Sequence, residues 1–190
     1  AIDCYRQSLS IFPDAPATHS NLVFALQYDS GVGREEIAAA HQEWGERFGA
    51  EPTVVPIRPK RVSDRPLRVG FLSADFRYHP VGRMASVVWQ HLDRQWVTSI
   101  VYDNSRDETS AKQRYRTLVD TWHSIAGKSD AQVVELIRSD ELDLLLDFSG
   151  HTSGNRLSVL AQKPAPVQAT IFGYPNTTGL SAVDFRRSEE

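Results

Sequence analysis

Residues 142–179 read LDLLLDFSGHTSGNRLSVLAQKPAPVQATIFGYPNTTG. The run from Leu142 to Leu146 is apolar except at Asp143, as in a strand covered on both faces. It ends in a Gly150-His151-Thr152 loop. SGNRLSVLAQ then carries a helical pattern, Pro164-Ala165-Pro166 breaks it, and VQATIFG is a second buried strand. That strand ends in Gly173-Tyr174-Pro175, followed by Thr177-Thr178-Gly179. Two successive strands joined through a helix run parallel and deliver polar, Gly-rich loops to one edge of a sheet. In an open α/β sheet that edge is where ligands bind.

The same alternation extends upstream. LRVGFLS is a strand leading into the loop ADFRYHPVG, and RMASVVWQHL is a helix. WVTSIVYD is a strand, ETSAKQRYRTLVD a helix and TWHSI a short strand. SDAQVVELIRSD is a helix capped by Ser129 or Asp130. This pattern predicts an α/β fold: a Rossmann-like, doubly wound parallel sheet with right-handed crossovers over residues 67–190. Residues 1–50 read as an α-helical extension. CYRQSLSIFPD stops at Pro13, THSNLVFALQYD takes Thr18 or Ser20 as its cap, and GREEIAAAHQEWGERFG has acidic residues in its first turn and Arg47 in its last. Between them, residues 51–66 (EPTVVPIRPKRVSDRP) form a basic linker in which prolines exclude helix.

The chain has 190 residues, 41% of them hydrophobic and 24% charged, as in an ordinary globular protein. A formal charge of −3 supplies no electrostatic case for nucleic acid or an anionic membrane. One cysteine, Cys4, excludes an internal disulfide framework and a cysteine-built zinc site. It fits a reducing compartment, and the expected location is the cytoplasm. No apolar run is long enough to span a bilayer. The chain begins with Ala1 rather than methionine and reads as an excerpt of a longer protein.

The loop after the first strand lacks GxGxxG, which argues against a nicotinamide or flavin dinucleotide there, and no P-loop is present. It offers Asp75, Arg77, Tyr78 and His79 instead. Pro80 holds His79 extended at the mouth of the sheet, where it serves as a base or, equally, as a surface or helix-capping histidine. Gly150 either makes a tight turn or lets backbone approach a ligand, with His151 pointing at it or simply exposed. Arg156 reads as an anion contact or an ion-pair partner. The two threonines of GYPNTTG donate to a phosphate or sugar oxygen, or cap the next segment of chain. The other histidines lie at packing or exposed positions, without metal-ligand spacing. Trp44, Trp89, Trp96 and Trp122 read as core. Ser73, Ser149 and Ser153 lack a nucleophile-elbow context.

Together, LRVGFLSADFRYHPVGRM, the run from Leu142 to Gly179 and the closing VDFR resemble the N-terminal half of the catalytic region of the O-linked N-acetylglucosamine transferase / SPINDLY family. CYRQSLSIFPD resembles the tail of a tetratricopeptide repeat, and SNLVFALQYDSGVGREEIAAAHQEWGERF the helical pair that joins repeats to catalytic region. The resemblance implies an inverting protein O-glycosyltransferase of two-lobed GT-B architecture, with no metal or other cofactor. Its donor is UDP-GlcNAc or GDP-fucose and its acceptors are Ser/Thr hydroxyls of proteins, with self-association through the repeats. It matches His79, with Pro80, to the histidine proposed as general base. It matches Gly173, Tyr174, Pro175, Thr177, Thr178 and Gly179 to the inter-lobe loop; Gly150 and His151 join them as substrate contacts. The nucleotide-binding second lobe is absent from the chain, so the fragment alone is expected to be inactive. The alternative reading is a non-catalytic protein-interaction module on the same lobe.

Overall fold

The computed structural model describes residues 1–49 and 65–186; most of the expected linker, residues 51–64, lies outside them. Three helices come first: α1 (Ile2–Ile11), α2 (Pro16–Leu26) and α3 (Arg34–Phe48). The α/β part continues as β1 (Leu67–Ser73), α4 (Pro80–His91), β2 (Val97–Asp103), α5 (Ser110–Arg116), β3 (Thr121–Ser124), α6 (Asp130–Ser139), β4 (Leu144–Asp147), α7 (Leu157–Ala161), β5 (Val167–Thr170) and β6 (Phe185–Arg186). The six strands pair in the order β3-β2-β1-β4-β5-β6, all parallel. This is the Rossmann-like sheet expected from the alternation. The two-residue β6 is too short to leave a periodic signal in the sequence.

Alternation along each strand separates two cores. Val69, Phe71, Val101 and the loop residue Phe148 pack with Val81, Ala85 and Trp89 of α4 and Tyr115 of α5. On the opposite face, Leu72, Ile100, Tyr102 and Leu145 pack with Val133, Val134 and Ile137 of α6 and Leu157 and Leu160 of α7. Val23 of α2 and Trp44 of α3 join this second cluster, so these two helices share the sheet's own core. Each fully buried Val or Leu contributes about 1.5–3 kcal/mol by leaving water. Trp96, expected in the core, is 71% exposed; it lies in the turn entering β2 and faces away from both clusters.

The helix starts are set by their caps. Ser129 caps α6 through a full capping box with Gln132. Helix α2 begins earlier than expected, at Pro16, whose fixed φ suits a first helical turn. Thr18 and Ser20 therefore lie inside the helix, which frees the Ser20 hydroxyl for a distant partner. Arg65, at the end of the linker, makes a two-pronged contact with Asp143 at 2.7 and 3.0 Å, fixing the entry to β1 beside β4. Among the described residues no helix is long and apolar enough to cross a membrane.

Candidate active site

The winding of the sheet reverses between β1 and β4, its two central strands. The crevice at such a switch point lies outside the C-terminal strand ends, so the β1–α4 and β4–α7 loops form its walls. They are joined by Ser73 Oγ and Ser149 Oγ at 3.1 Å. On the first wall, His79 is the N-cap of α4, with extended backbone (φ −148°, ψ 152°). Its Nδ1 accepts a hydrogen bond from the Val81 amide at 3.3 Å, which places the proton of the neutral ring on Nε2. Asp75 Oδ2 lies 3.9 Å from the same Nδ1, and the imidazole is partly exposed at the mouth. Pro80 is exposed beside it.

On the second wall, Asp147 ends β4 and is fully enclosed. It accepts from the Ser149 amide (3.2 Å), the Gly150 amide (2.7 Å) and the Thr170 hydroxyl (3.1 Å). Burial outweighs these three donors and pushes its carboxyl up to about 6. Gly150 has φ +51°, and a Cβ there would stand 2.4 Å from the Tyr174 Cβ. The glycine is thus required by the Gly-Tyr-Pro loop closing over it.

Behind these loops, two histidines tie the helices to the sheet. His151 is fully buried. Its Nε2 lies 3.0 Å from the Thr178 carbonyl, which only accepts, so Nε2 carries the proton. Its Nδ1 then accepts from the Ser20 hydroxyl of α2 at 3.1 Å. His41 of α3 mirrors this: Nδ1–H donates to the Ile37 carbonyl at 2.6 Å, and Nε2 accepts from the Tyr174 hydroxyl at 2.8 Å. The His151 ring sits edge-on to Trp44, His41 and Tyr174, with centroids 5.1–5.3 Å away. Burial, and then the neighbouring His41, push His151 down to about 3; burial also lowers His41. Both rings are therefore neutral at physiological pH, with every ring nitrogen satisfied. Asn176 adds a bond from its amide to Gln27 Oε1 of α2 at 3.2 Å.

Comparison with known proteins gives this geometry a family. The model of glycosyl transferase family 41 matches residues 17–189, from the start of α2 through the sheet. The chain belongs to glycosyl transferase family 41. It is 34% identical over 97% of its length to the rice (Oryza sativa subsp. japonica) protein named probable UDP-N-acetylglucosamine–peptide N-acetylglucosaminyltransferase SPINDLY. It is 26% identical over 96% of its length to the Caenorhabditis elegans UDP-N-acetylglucosamine–peptide N-acetylglucosaminyltransferase. These alignments span 20% and 16% of the relatives. A solved mutant of the Thermobaculum terrenum O-GlcNAc transferase superimposes with a TM-score of 0.92 at 34% identity, covering 97% of this chain and 36% of that one. The family read from the HP loop and the Asp147–Gly179 run is the family found.

Within this family 41 lobe the expected site residues divide in two. His79, Pro80, Pro175 and Thr177 reach solvent at the loop tips. His151, Tyr174 and Thr178 do not. For His151 the sequence allows a ligand-facing or an exposed loop position; its complete burial replaces both, because α2 and α3 cover the loop from behind. Tyr174 turns its hydroxyl inward to His41. Thr178 spends its carbonyl on His151, and its hydroxyl accepts from the Leu180 amide at 3.3 Å. Gly179 packs against α3: a Cβ there would stand 1.9 Å from the His41 carbonyl. Arg156 resolves as an ion-pair partner. It contacts Asp130 at 2.6 Å and also Asn104 and the Ile125 and Lys128 carbonyls, clamping the loops at the strand ends. Ser20 and His41 support the site without being marked in the sequence. His41's place on the apolar face of α3 is legible, but its partner lies 133 residues away, beyond any local pattern.

Proposed function

We propose that the chain is the N-terminal, acceptor-side lobe of a protein O-N-acetylglucosaminyltransferase that takes UDP-GlcNAc as donor and works against a second, nucleotide-binding lobe. The observation that carries this reading is His79 at the mouth of the β1/β4 switch point in a family 41 fold. UDP-N-acetylglucosamine in the relatives' names supports this donor, and GDP-fucose is the competing nucleotide-sugar. Residues 51–66 link the helices to the lobe, the enzyme resides in the cytoplasm, and the repeats preceding α2 mediate self-association.

The reaction is an inverting displacement. The acceptor oxygen bonds to the anomeric carbon as the bond from that carbon to the UDP oxygen breaks, and the hydroxyl proton passes to a base. His79 as capped has its proton on Nε2, a donor toward a sugar or phosphate oxygen. To act as base through Nε2 it must release the Val81 amide and carry its proton on Nδ1, where the Asp75 carboxylate faces it. Pro80, Pro175 and Thr177 border the substrate, while Gly150, His151, Gly173, Tyr174, Thr178 and Gly179 hold the loops in place.

His79→Asn tests the assignment, because asparagine is a good N-cap and preserves the helix start. In the full-length enzyme, glycosylation of a protein acceptor is expected to fall about 100-fold or more, with Tm changed by less than about 3 °C. Undiminished transfer by this variant would remove His79 from the chemistry.

A further inference from the structure

Beside the His79 loop, a groove of about 750 Å³ runs between α4 and α5, lined by Tyr78, Pro80, Arg83, Met84, Val87 and Arg114 among others. Arg83 and Val87 are one helical turn apart on the exposed side of α4, and Ala111 and Arg114 form the facing side of α5. Tyr78 is 79%, Val87 56% and Met84 44% exposed. Among the described residues no carboxylate lines the groove. Most arginines of the lobe are engaged, such as Arg77 with Asp75, Arg94 with Asp120, Arg116 with Glu108 and Arg156 with Asp130. Among the described residues the guanidinium groups of Arg83 and Arg114 have no ion pair or hydrogen bond.

From this charge pattern we infer that the groove binds an acidic segment of the acceptor protein, one that carries carboxylates beside an apolar side chain. The inference rests on the reading of this lobe as the acceptor side of a protein-modifying enzyme. Among the described residues the two arginines supply the only charges on the walls, both positive, and each can grip a carboxylate through two parallel N–H donors. Tyr78, Met84 and Val87 give the apolar side chain a surface that leaves water on binding. Pro80 lines the groove next to His79, so a segment seated there leads into the crevice and places its Ser or Thr near the imidazole. The chain's net charge of −3 disfavours a nucleic acid as occupant.

Fluorescence anisotropy of the 190-residue chain tests this with two labelled peptides, one containing Ser, Leu and three Glu, the other with each Glu replaced by Gln. The acidic peptide is expected to bind about tenfold more tightly, and the difference to shrink as salt rises. Arg83→Gln with Arg114→Gln should weaken the acidic peptide about tenfold and leave the Gln peptide unchanged. Val87→Ser, which adds no charge, should weaken both peptides by removing part of the apolar wall. Equal binding of the two peptides, or no effect of the arginine pair, overturns the proposal. So does tighter binding of a single-stranded RNA oligonucleotide that the arginine pair abolishes, or a dimer in sedimentation that the pair dissolves. Glycosylation is read separately in the full-length enzyme. Loss of the acidic preference with transfer intact rejects the groove alone; intact preference with no transfer rejects the enzymatic reading alone.

Discussion

Gly173→Ala is expected to cost about 3 kcal/mol or more of folding stability, lowering Tm by about 6–12 °C in a chain of this size. A Cβ at this position would stand 1.6 Å from the Phe148 carbonyl oxygen, 2.4 Å from its carbon and 3.0 Å from the Ser149 amide nitrogen. All three are backbone atoms of the neighbouring strand-end loop, so no side chain can swing aside. The Gly-Tyr-Pro loop must lift away, which unseats Tyr174 from His41 and exposes the cluster beneath it. Gly33→Ala is the control, because nothing lies within 4 Å of its added methyl group; it should change stability by less than about 1 kcal/mol. Urea denaturation of both variants reads the difference. Near-native stability of Gly173→Ala would mean that the two loops do not touch as described.

His151→Phe carries the second large effect, and pH distinguishes its cause. Phenylalanine roughly keeps the ring volume but strands the Ser20 hydroxyl and the Thr178 carbonyl without partners, at about 3 kcal/mol near pH 7. In the parent, His151 is held neutral down to about pH 3 by burial and by His41, whereas the unfolded chain protonates it near pH 6.5. Between these values the unfolded state binds the extra proton. The parent therefore loses stability as pH falls from 6.5 toward 3, on the order of 3 kcal/mol by pH 4. The variant has no such loss, so its deficit should shrink toward zero between pH 7 and pH 4. Asp147 runs the other way. Its carboxyl stays protonated to about pH 6 in the fold and near 3.9 in the unfolded chain, so its contribution declines as pH rises through that window. Because Asp147 is common to both proteins, the difference between them isolates His151. A deficit that stays constant from pH 7 to pH 4 would show that the ring is not held neutral.

Most of the sheet is legible in the sequence because a buried parallel strand needs a short continuous apolar run and a helix needs a 3.6-residue period. LRVGFLS falls on β1 without a shift. Segments such as LDLLLDF and ETSAKQRYRTLVD yield elements shorter than their apolar patterns, because strand and helix stop where the loops must turn. The HP loop and the glycines of Asp147–Gly179 identify the family and the sheet edge. What the sequence does not disclose is which side of those loops faces solvent. A Gly-His-Thr or Gly-Tyr-Pro turn has the same local chemistry whether it meets a ligand or another helix. Only the docking of α2 and α3, through contacts such as Ser20 to His151 across 131 positions, turns His151 and Tyr174 inward. The same docking explains why the helices of residues 17–49, which read in sequence as the pair joining repeats to catalytic region, are matched together with the sheet by the family model.

The central claim is that this lobe serves a protein O-N-acetylglucosaminyltransferase. Intact-mass analysis of a protein acceptor, incubated with the full-length enzyme and either UDP-GlcNAc or GDP-fucose, tests it most directly. The acceptor is expected to gain N-acetylhexosamine from UDP-GlcNAc, and the gain should disappear with His79→Asn. A deoxyhexose added from GDP-fucose, or an acceptor unchanged by both donors, would contradict it.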